Sequence, residues 1–393
     1  MKRTHIITDP GTGEKRCTCF KRCGGCQLDM SYKEQLDWKQ QKAERMLSRF
    51  CKVEPIIGME RPYNYRNKVQ TVFRFDSRRQ LISGVYQSRS GKLTATEDCM
   101  LEDKVCTKAV IEFKRLMRSF RIAPYDPVSG KGFVRHLLVR YSRSEKQLMV
   151  CVCAVSRDFP SGPAFSKELK KACPELESFV LNVNTKPLPL SLGDKNIVLF
   201  GRAYIDDIIL GKRFRISPQS FYQVNSIQTE RLYSEAIALA GLKETDVLID
   251  AYCGTGTLGI LSSDKVKTVI GTELNAAACK DAAQNIKLNG IDNYTVVNED
   301  AGQFMRELAD EKTHVDAVIT DPPRAGCDRS FLDSLCVLRP SRVVYISCKI
   351  ESLERDLRYL VKNGYKVRAI KPVDMFPHTV GIETVVLLED KRG

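Results

Sequence analysis

The segment Val247-Leu-Ile-Asp-Ala-Tyr-Cys-Gly-Thr-Gly-Thr-Leu-Gly259 constrains this chain more than any other. A short apolar run ends in an acid, and Gly254, Gly256 and Gly259 follow in G-x-G-x-x-G spacing. Glycines so placed let a strand turn sharply into a helix while a ligand approaches the backbone, so the segment predicts strand, cradling loop and helix start. From about residue 216 onward strands and helices alternate, the pattern of a doubly wound α/β sheet. VKTVIGTE at 266–273 reads as the second strand, TVVNED at 295–300 as the close of the third, and VDAVITDPPRAG at 315–326 as the fourth. VVYISC at 343–348 is a further apolar run and ends in Cys348.

Open α/β sheets bind ligands at the carboxyl ends of their strands. Glu273 is placed there to accept both ribose hydroxyls of a nucleotide cofactor, and Asp300 to take an adenine amino group. Asp321-Pro-Pro-Arg324 does not suit a dinucleotide enzyme. It does suit a class I fold that binds S-adenosylmethionine, where a rigid turn walls the pocket beside the transferable methyl group. Amino methyltransferases place an aromatic residue after the prolines to stack on the target base, whereas position 324 is Arg. The other chemistry for such a pocket is methylation at a pyrimidine carbon, which needs a thiolate nucleophile and a separate base. Cys348 supplies the thiol. Glu383, a lone acid entering an apolar strand within DMFPHTVGIETVVLLE at 374–389, is the base, its pKa expected to rise with partial burial.

Charge narrows the partner. The net charge of +14 is uneven: residues 1–125 carry 26 Lys+Arg against 14 Asp+Glu, whereas 221–393 carry 21 against 25. Arg61-Pro-Tyr-Asn-Tyr-Arg-Asn-Lys68 interleaves aromatics with cations, as surfaces for single-stranded nucleic acid do. The longest apolar stretch, LMVCVCAV at 148–155, is too short to span a bilayer. Met1-Lys2-Arg3 leads into a polar segment rather than a signal-peptide core. Fifteen cysteines, an odd number without a secretion signal, point to a reducing cytoplasm and to metal or catalytic uses.

Three regions are expected. Residues 1–60 comprise a cysteine-rich segment and a linking helix over 31–50, N-capped by Ser31, with Leu36, Ala43, Met46, Leu47 and Phe50 as its apolar face. Residues 61–215 read as a mainly antiparallel β domain interrupted by one helix at about 103–120. Residues 216–393 form the Rossmann-like α/β domain. Cys17, Cys23 and Cys26 lie in C-x5-C-x2-C spacing, and three soft thiolates need a fourth ligand; spacing does not separate zinc from an iron–sulfur cluster.

The set DxxCGxG, DPPRAG, SCK and DMFPHT..IE resembles the RNA uridine-5-methyltransferases over nearly the whole chain. The resemblance implies Cys348 as nucleophile and Glu383 as proton-abstracting base. It implies Gln223, Tyr252, Gly254, Gly256, Thr257, Glu273, Asp300 and Asp321 as the S-adenosylmethionine pocket, although position 257 is often Asn in relatives. It favours a 4Fe-4S cluster on Cys17, Cys23, Cys26 and Cys99, with Cys106 and Cys19 as competing ligands. Relatives often carry a His after the Cys-Gly-Gly-Cys run, where this chain reads CQLDMSY. With only sixteen residues before Cys17, the RNA-binding TRAM barrel of several members is expected to be absent. His378, Cys253 and Cys327 are read as structural. The expectation is a cytoplasmic, monomeric enzyme methylating a uridine of large-subunit ribosomal RNA, with transfer RNA as the alternative. Three rivals stay open: an RNA cytosine-5-methyltransferase, a ring-nitrogen or amino methyltransferase, and a metal-stabilised RNA-binding protein without catalysis.

Overall fold

A computed structural model of the chain describes residues 6–391 apart from 12, 88–89 and 186–190. Met1-Lys2-Arg3 and two positions of the basic stretch around 61–92 lie outside the described residues. The chain divides into two compact units, Met1–Asp29 with Pro62–Asp207 and Arg215–Gln219, and Met30–Arg61 with Ile208–Phe214 and Ser220–Gly393. The helix at 32–47 thus groups with the carboxyl-terminal residues, not with the cysteine-rich segment before it. Among the described residues no helix is long and apolar enough to cross a membrane.

In the first unit β1 (Ile6–Thr8) pairs with β2 (Lys15–Cys17). A seven-stranded sheet follows, built from β3 (Lys68–Phe75), β4 (Leu81–Tyr86), β5 (Leu93–Ala95), β6 (Val134–Ser142), β7 (Gln147–Ala154), β8 (Leu176–Val183) and β9 (Lys195–Gly201). The strand order is β5-β4-β3-β6-β7-β8-β9. The expected antiparallel character holds except at β7 and β8, which are parallel. Parallel neighbours need a crossover, and a helix at Gly162–Ala172 provides it. The sequence predicts only one helix here, which runs Lys104–Ser119 with Asp103 capping Val105 N at 2.9 Å; the crossover helix is additional. Both helices close over one sheet face. Phe113 and Phe165 meet edge-on at 5.2 Å and Phe165 stacks on Phe179 at 5.8 Å, each ring contributing about 1.5–3 kcal/mol by burial.

β10 (Ile205–Ile209) and β11 (Lys212–Ile216) form a separate two-stranded sheet. The second unit is built on β12 (Val247–Ala251), β13 (Thr268–Thr272), β14 (Tyr294–Val297), β15 (Ala317–Thr320), β16 (Arg342–Ser347), β17 (Tyr365–Val373) and β18 (Glu383–Asp390). Their order is β14-β13-β12-β15-β16-β18-β17. β12 through β16 run parallel, and β18 inserts antiparallel between β16 and β17. This is the doubly wound sheet expected from 216 onward, with a reversed hairpin at one edge.

The helix expected over 31–50 runs Tyr32–Leu47, started by a capping box of Ser31 and Glu34. Its buried residues are Gln35, Lys39, Ala43 and Leu47, one i, i+4 row. Ala43 and Leu47 join the core as expected, but Leu36, Met46 and Phe50 are only half-buried. Two polar side chains take the deepest amino-terminal positions.

Candidate active site

The glycine loop is set by one tyrosine. Tyr294 lies beneath it with its hydroxyl 2.9 Å from Asp250 Oδ2, which also accepts the Gly259 N–H at 2.8 Å. A Cβ on Gly259 would stand 2.4 Å from the Tyr294 ring, and one on Gly271 would stand 2.6 Å from its hydroxyl. Gly254 (φ 56°) and Gly256 (φ 77°) supply the left-handed turns. Tyr252 holds the same conformation (φ 59°) without glycine's freedom, its ring 5.6 Å from Phe331. Burial pushes the Asp250 carboxyl up to about 6, and its Oδ1 has no hydrogen-bond partner among the described residues.

Glu273 follows β13 and accepts from Gly254 N at 3.1 Å and Asn275 N at 2.8 Å. Asp300 caps the helix Ala301–Asp310, its Oδ1 accepting from Gly302 N (3.0 Å) and Gln303 N (3.2 Å). Thr257 is buried, with Oγ1 3.3 Å from Thr255 Oγ1. Gln223 precedes the helix Ser226–Ala240 and hydrogen-bonds the phenol of Tyr233. Open space at Gly254, an unsatisfied buried carboxylate oxygen and acids beyond two neighbouring strands fit a nucleoside-bearing cationic cofactor.

Three of the candidate site residues meet at adjacent strands. Asp321 follows β15, Cys348 follows β16 and Glu383 opens β18. Ser347 is in register with Thr384, so Cys348 and Glu383 occupy the next opposed positions. Glu383 is 3% exposed. Burial pushes it up to about 8, the Asp321 charge adds to the rise, and Arg324 opposes it. Asp321 is pushed up to about 7 by burial and by Asp250. The half-buried Cys348 thiol is pushed up to about 11 by burial, then by Glu383 and Asp321, with Arg324 again opposing. Tyr233 joins the group: burial and the Asp321 charge raise its phenol well above the usual value, and Glu383 contributes as well. Nothing in its local sequence marks this tyrosine; only the helix packing brings it here.

A second set of residues holds the Asp321–Cys327 turn. Asp356 on the helix Ile350–Lys362 is fully buried, and its Oδ2 accepts from Cys327 N (3.0 Å) and Tyr345 OH (2.7 Å). Arg355 donates to Ala325 O at 2.9 Å. Gly326 (φ 83°) admits no Cβ, since one would lie 2.5 Å from Asp356 Oδ2. The Ser352 hydroxyl stands 3.1 Å from Arg324 O and 2.9 Å from Lys349 O, donating to one at a time and so linking the Arg324 turn to the Cys348 turn. Cys253 and Cys327 are buried packing residues, as expected. His378 (φ 68°) is buried against Gln35, outside the reacting group.

In the first unit Cys17, Cys23, Cys26 and Cys99 form one electrostatic neighbourhood. Burial raises Cys17 and Cys26, the latter to about 12; Cys23 acts on both, and Cys26 acts on Cys99. Cys19 N points at Cys17 Sγ and Gly25 N at Cys23 Sγ, both at 3.4 Å, the amide–sulfur contacts that tune cluster thiolates. Arg66 lies near Cys99 and Cys26. The donor chemistry suits a thiolate-ligated cluster, yet among the described residues no group of three or more His, Cys, Asp or Glu side chains is arranged to hold a metal ion. Of the competitors, Cys106 is fully buried against Asn67 O (3.7 Å), and the Cys19 thiol faces Ala95 O (3.9 Å).

The sheet order, the glycine loop and the strand-end acids define a class I methyltransferase fold. The family model for tRNA (uracil-5-)-methyltransferase matches residues 175–391. An RNA methyltransferase of Halalkalibacterium halodurans is 38% identical, covering 98% of this chain and 86% of that protein. One of Caldanaerobacter subterraneus is 39% identical over 95% of this chain and 83% of its own length. Among solved structures, the Pyrococcus abyssi tRNA (uracil-54, C5)-methyltransferase in complex with S-adenosyl-L-homocysteine shares the fold, with a TM-score of 0.77 at 24% identity over 98% of this chain and 92% of that one. The chain belongs to the tRNA (uracil-5-)-methyltransferase family.

Proposed function

We propose that this RNA methyltransferase transfers a methyl group from S-adenosylmethionine to carbon 5 of a uridine through a covalent adduct on Cys348. The observation that carries this reading is the placement of Cys348 and Glu383 one residue beyond the last β16–β18 pair, where Glu383 and Asp321 both act on the thiol. Uracil carbon 5 is a poor nucleophile. Addition of the Cys348 thiolate to carbon 6 moves the ring's π electrons toward the carbon 4 carbonyl and makes carbon 5 an enolate carbon. S-adenosylmethionine, when bound, supplies a methyl group on a positively charged sulfur. Carbon 5 would take that methyl as the S–CH3 bond breaks and neutral S-adenosylhomocysteine leaves; Glu383 then removes the carbon 5 proton, and the electron pair left behind restores the ring double bond and expels the thiolate. Without ligands, burial holds both Cys348 and Glu383 in their neutral forms near pH 7. Positive charge beside Asp321 favours both ionised forms, so a cationic cofactor readies nucleophile and base together. The proposed contacts are Gln223, Tyr252, Gly254, Gly256, Thr257, Glu273, Asp300 and Asp321.

In this reading the cysteine-rich start of the chain and the β-rich region within 61–215 grip RNA. Cys17, Cys23, Cys26 and Cys99 would hold a 4Fe-4S cluster that shapes the RNA-binding surface and takes no part in methyl transfer. The proposed substrate is large-subunit ribosomal RNA, and the enzyme works as a cytoplasmic monomer. The tRNA (uracil-5-)-methyltransferase family and the Pyrococcus abyssi tRNA enzyme favour transfer RNA as the second reading. Mass mapping of modified nucleosides in cells lacking the protein, complemented with the natural chain or Cys348→Ala, tests all of this. Loss of one 5-methyluridine in 23S RNA, unrestored by Cys348→Ala, is expected. Loss from transfer RNA would move the substrate, loss of 5-methylcytidine would change the base, and restoration by Cys348→Ala would end the thiol mechanism.

A further inference from the structure

The loop 374–382 that delivers Glu383 is held by the polar end of the helix Tyr32–Leu47. Lys39 and Asp374 form an ion pair at 2.5 Å with both side chains fully buried. Lys39 Nζ also donates to Phe376 O at 3.1 Å. The other Asp374 oxygen accepts from Tyr32 OH at 2.8 Å, and that hydroxyl accepts from Met59 N at 2.8 Å. One turn earlier, Gln35 engages His378 twice: its Oε1 accepts the His378 N–H at 2.8 Å, and its Nε2 lies 3.1 Å from Nδ1. Because the first bond fixes which end of the amide is oxygen, Nε2 donates and His378 Nδ1 accepts. Glu383 follows five residues later, paired with Val373 on the far side of the loop.

Stability alone does not require this arrangement. A fully buried Lys–Asp pair loses its hydration, and apolar side chains of equal volume commonly hold a fold as well or better. A paired charge and a two-point amide contact do give one loop geometry rather than several. The nucleophile's side of the site is held separately, by Asp356, Arg355 and Ser352 on the helix Ile350–Lys362. The ion pairs that tie this helix and the residues just after it to the helix Ile350–Lys362, Lys42–Glu351 and Arg49–Glu354, are partly exposed and contribute little.

We propose that Gln35 and Lys39 are positioning residues that set Glu383 for removal of the carbon 5 proton. This rests on the reading of Glu383 as base. It predicts a step-specific defect, because the loop they hold carries the base and not the thiol. Methyl transfer precedes proton removal, so a displaced Glu383 leaves a methylated protein–RNA adduct that resolves slowly.

The test is a single-turnover reaction with RNA tritiated at uridine carbon 5 and methyl-labelled cofactor. It uses Gln35→Leu, the double variant Lys39→Met/Asp374→Leu, and Glu383→Gln in parallel. The double variant removes both buried charges at once, so it remains informative where Lys39→Met alone fails to fold. Expected are near-normal methyl incorporation, tritium release slowed by about ten- to a hundredfold for a base misplaced by an ångström or so, and a persistent adduct band on a denaturing gel. If methyl incorporation and tritium release fall together with no adduct, or both stay normal, Gln35 and Lys39 serve the fold alone and the proposal fails. An adduct with Glu383→Gln but not with the other two variants defeats this proposal while sparing the base. No adduct with Glu383→Gln removes the base and this proposal with it.

Discussion

Replacing the proposed base should stabilise the ligand-free protein, and the gain should grow with pH. Glu383 ordinarily titrates near 4.5 and in the fold is pushed up to about 8. Between those values the unfolded chain has released the proton and the folded chain still holds it. Raising the pH through that window therefore favours unfolding, and the loss is complete once the pH passes the folded value. With 1.36 kcal/mol per unit, the wild-type protein should lose about 3 kcal/mol between about pH 5 and pH 8 through this one group. Glu383→Gln keeps the size and has nothing to titrate. For a unit of this size the difference corresponds to about 6–12 °C in Tm at the alkaline end. Trp38, the only tryptophan in the chain, lies on the helix Tyr32–Leu47 within the same compact unit, so its fluorescence follows the relevant transition. Melting curves of both proteins from about pH 5 to 8 without cofactor give the answer. If the two stability profiles run parallel, Glu383 titrates as an ordinary carboxylate and the burial argument for its basicity is wrong.

Gly259→Ala should lower stability by about 1–3 kcal/mol by overpacking and weaken S-adenosylhomocysteine binding measured by calorimetry, because Tyr294 is tethered to Asp250 and cannot yield to a Cβ 2.4 Å away. Protein purified without air should contain about four iron atoms and matching sulfide per chain, lost in Cys99→Ser and kept in Cys106→Ser; stoichiometric zinc without iron would overturn the cluster.

What could be read from the sequence was what the chain encodes locally. The alternation after residue 216, the glycine loop and the acid beyond β13 follow from side-chain periodicity and backbone freedom over a few residues. Cys348 and Glu383 could be picked out as polar groups at the ends of apolar runs. Their opposition could not, because it depends on β18 inserting between β16 and β17, a choice made by the whole sheet. Gln35 and Lys39 are polar members of the row that Ala43 and Leu47 continue, so local reading, which follows apolar residues, takes them as solvated. Their burial is set by Asp374 and His378, more than three hundred residues away. Asp356 and Tyr233 are of the same kind, meaningful only through the turns and acids that packing brings to them. The helix Gly162–Ala172 is short and carries two buried aromatic or aliphatic anchors, Phe165 and Leu169, too few to stand out among strands.

The strand that carries Glu383 also completes the sheet. β17 has β18 as its one neighbouring strand among the described residues, with isolated bridges from Val53 and Ile57 besides, and β16 has β18 as its second neighbour. Until these eight residues dock, two apolar strands present open edges of the kind that recruit other chains. A growing or nicked polypeptide without them would leave those edges bare, whereas one that has closed its sheet has, by the same event, set the proposed base in place. Under the proposed function, activity is thereby coupled to protection from misassociation, through the two ladders that β18 makes with β16 and β17.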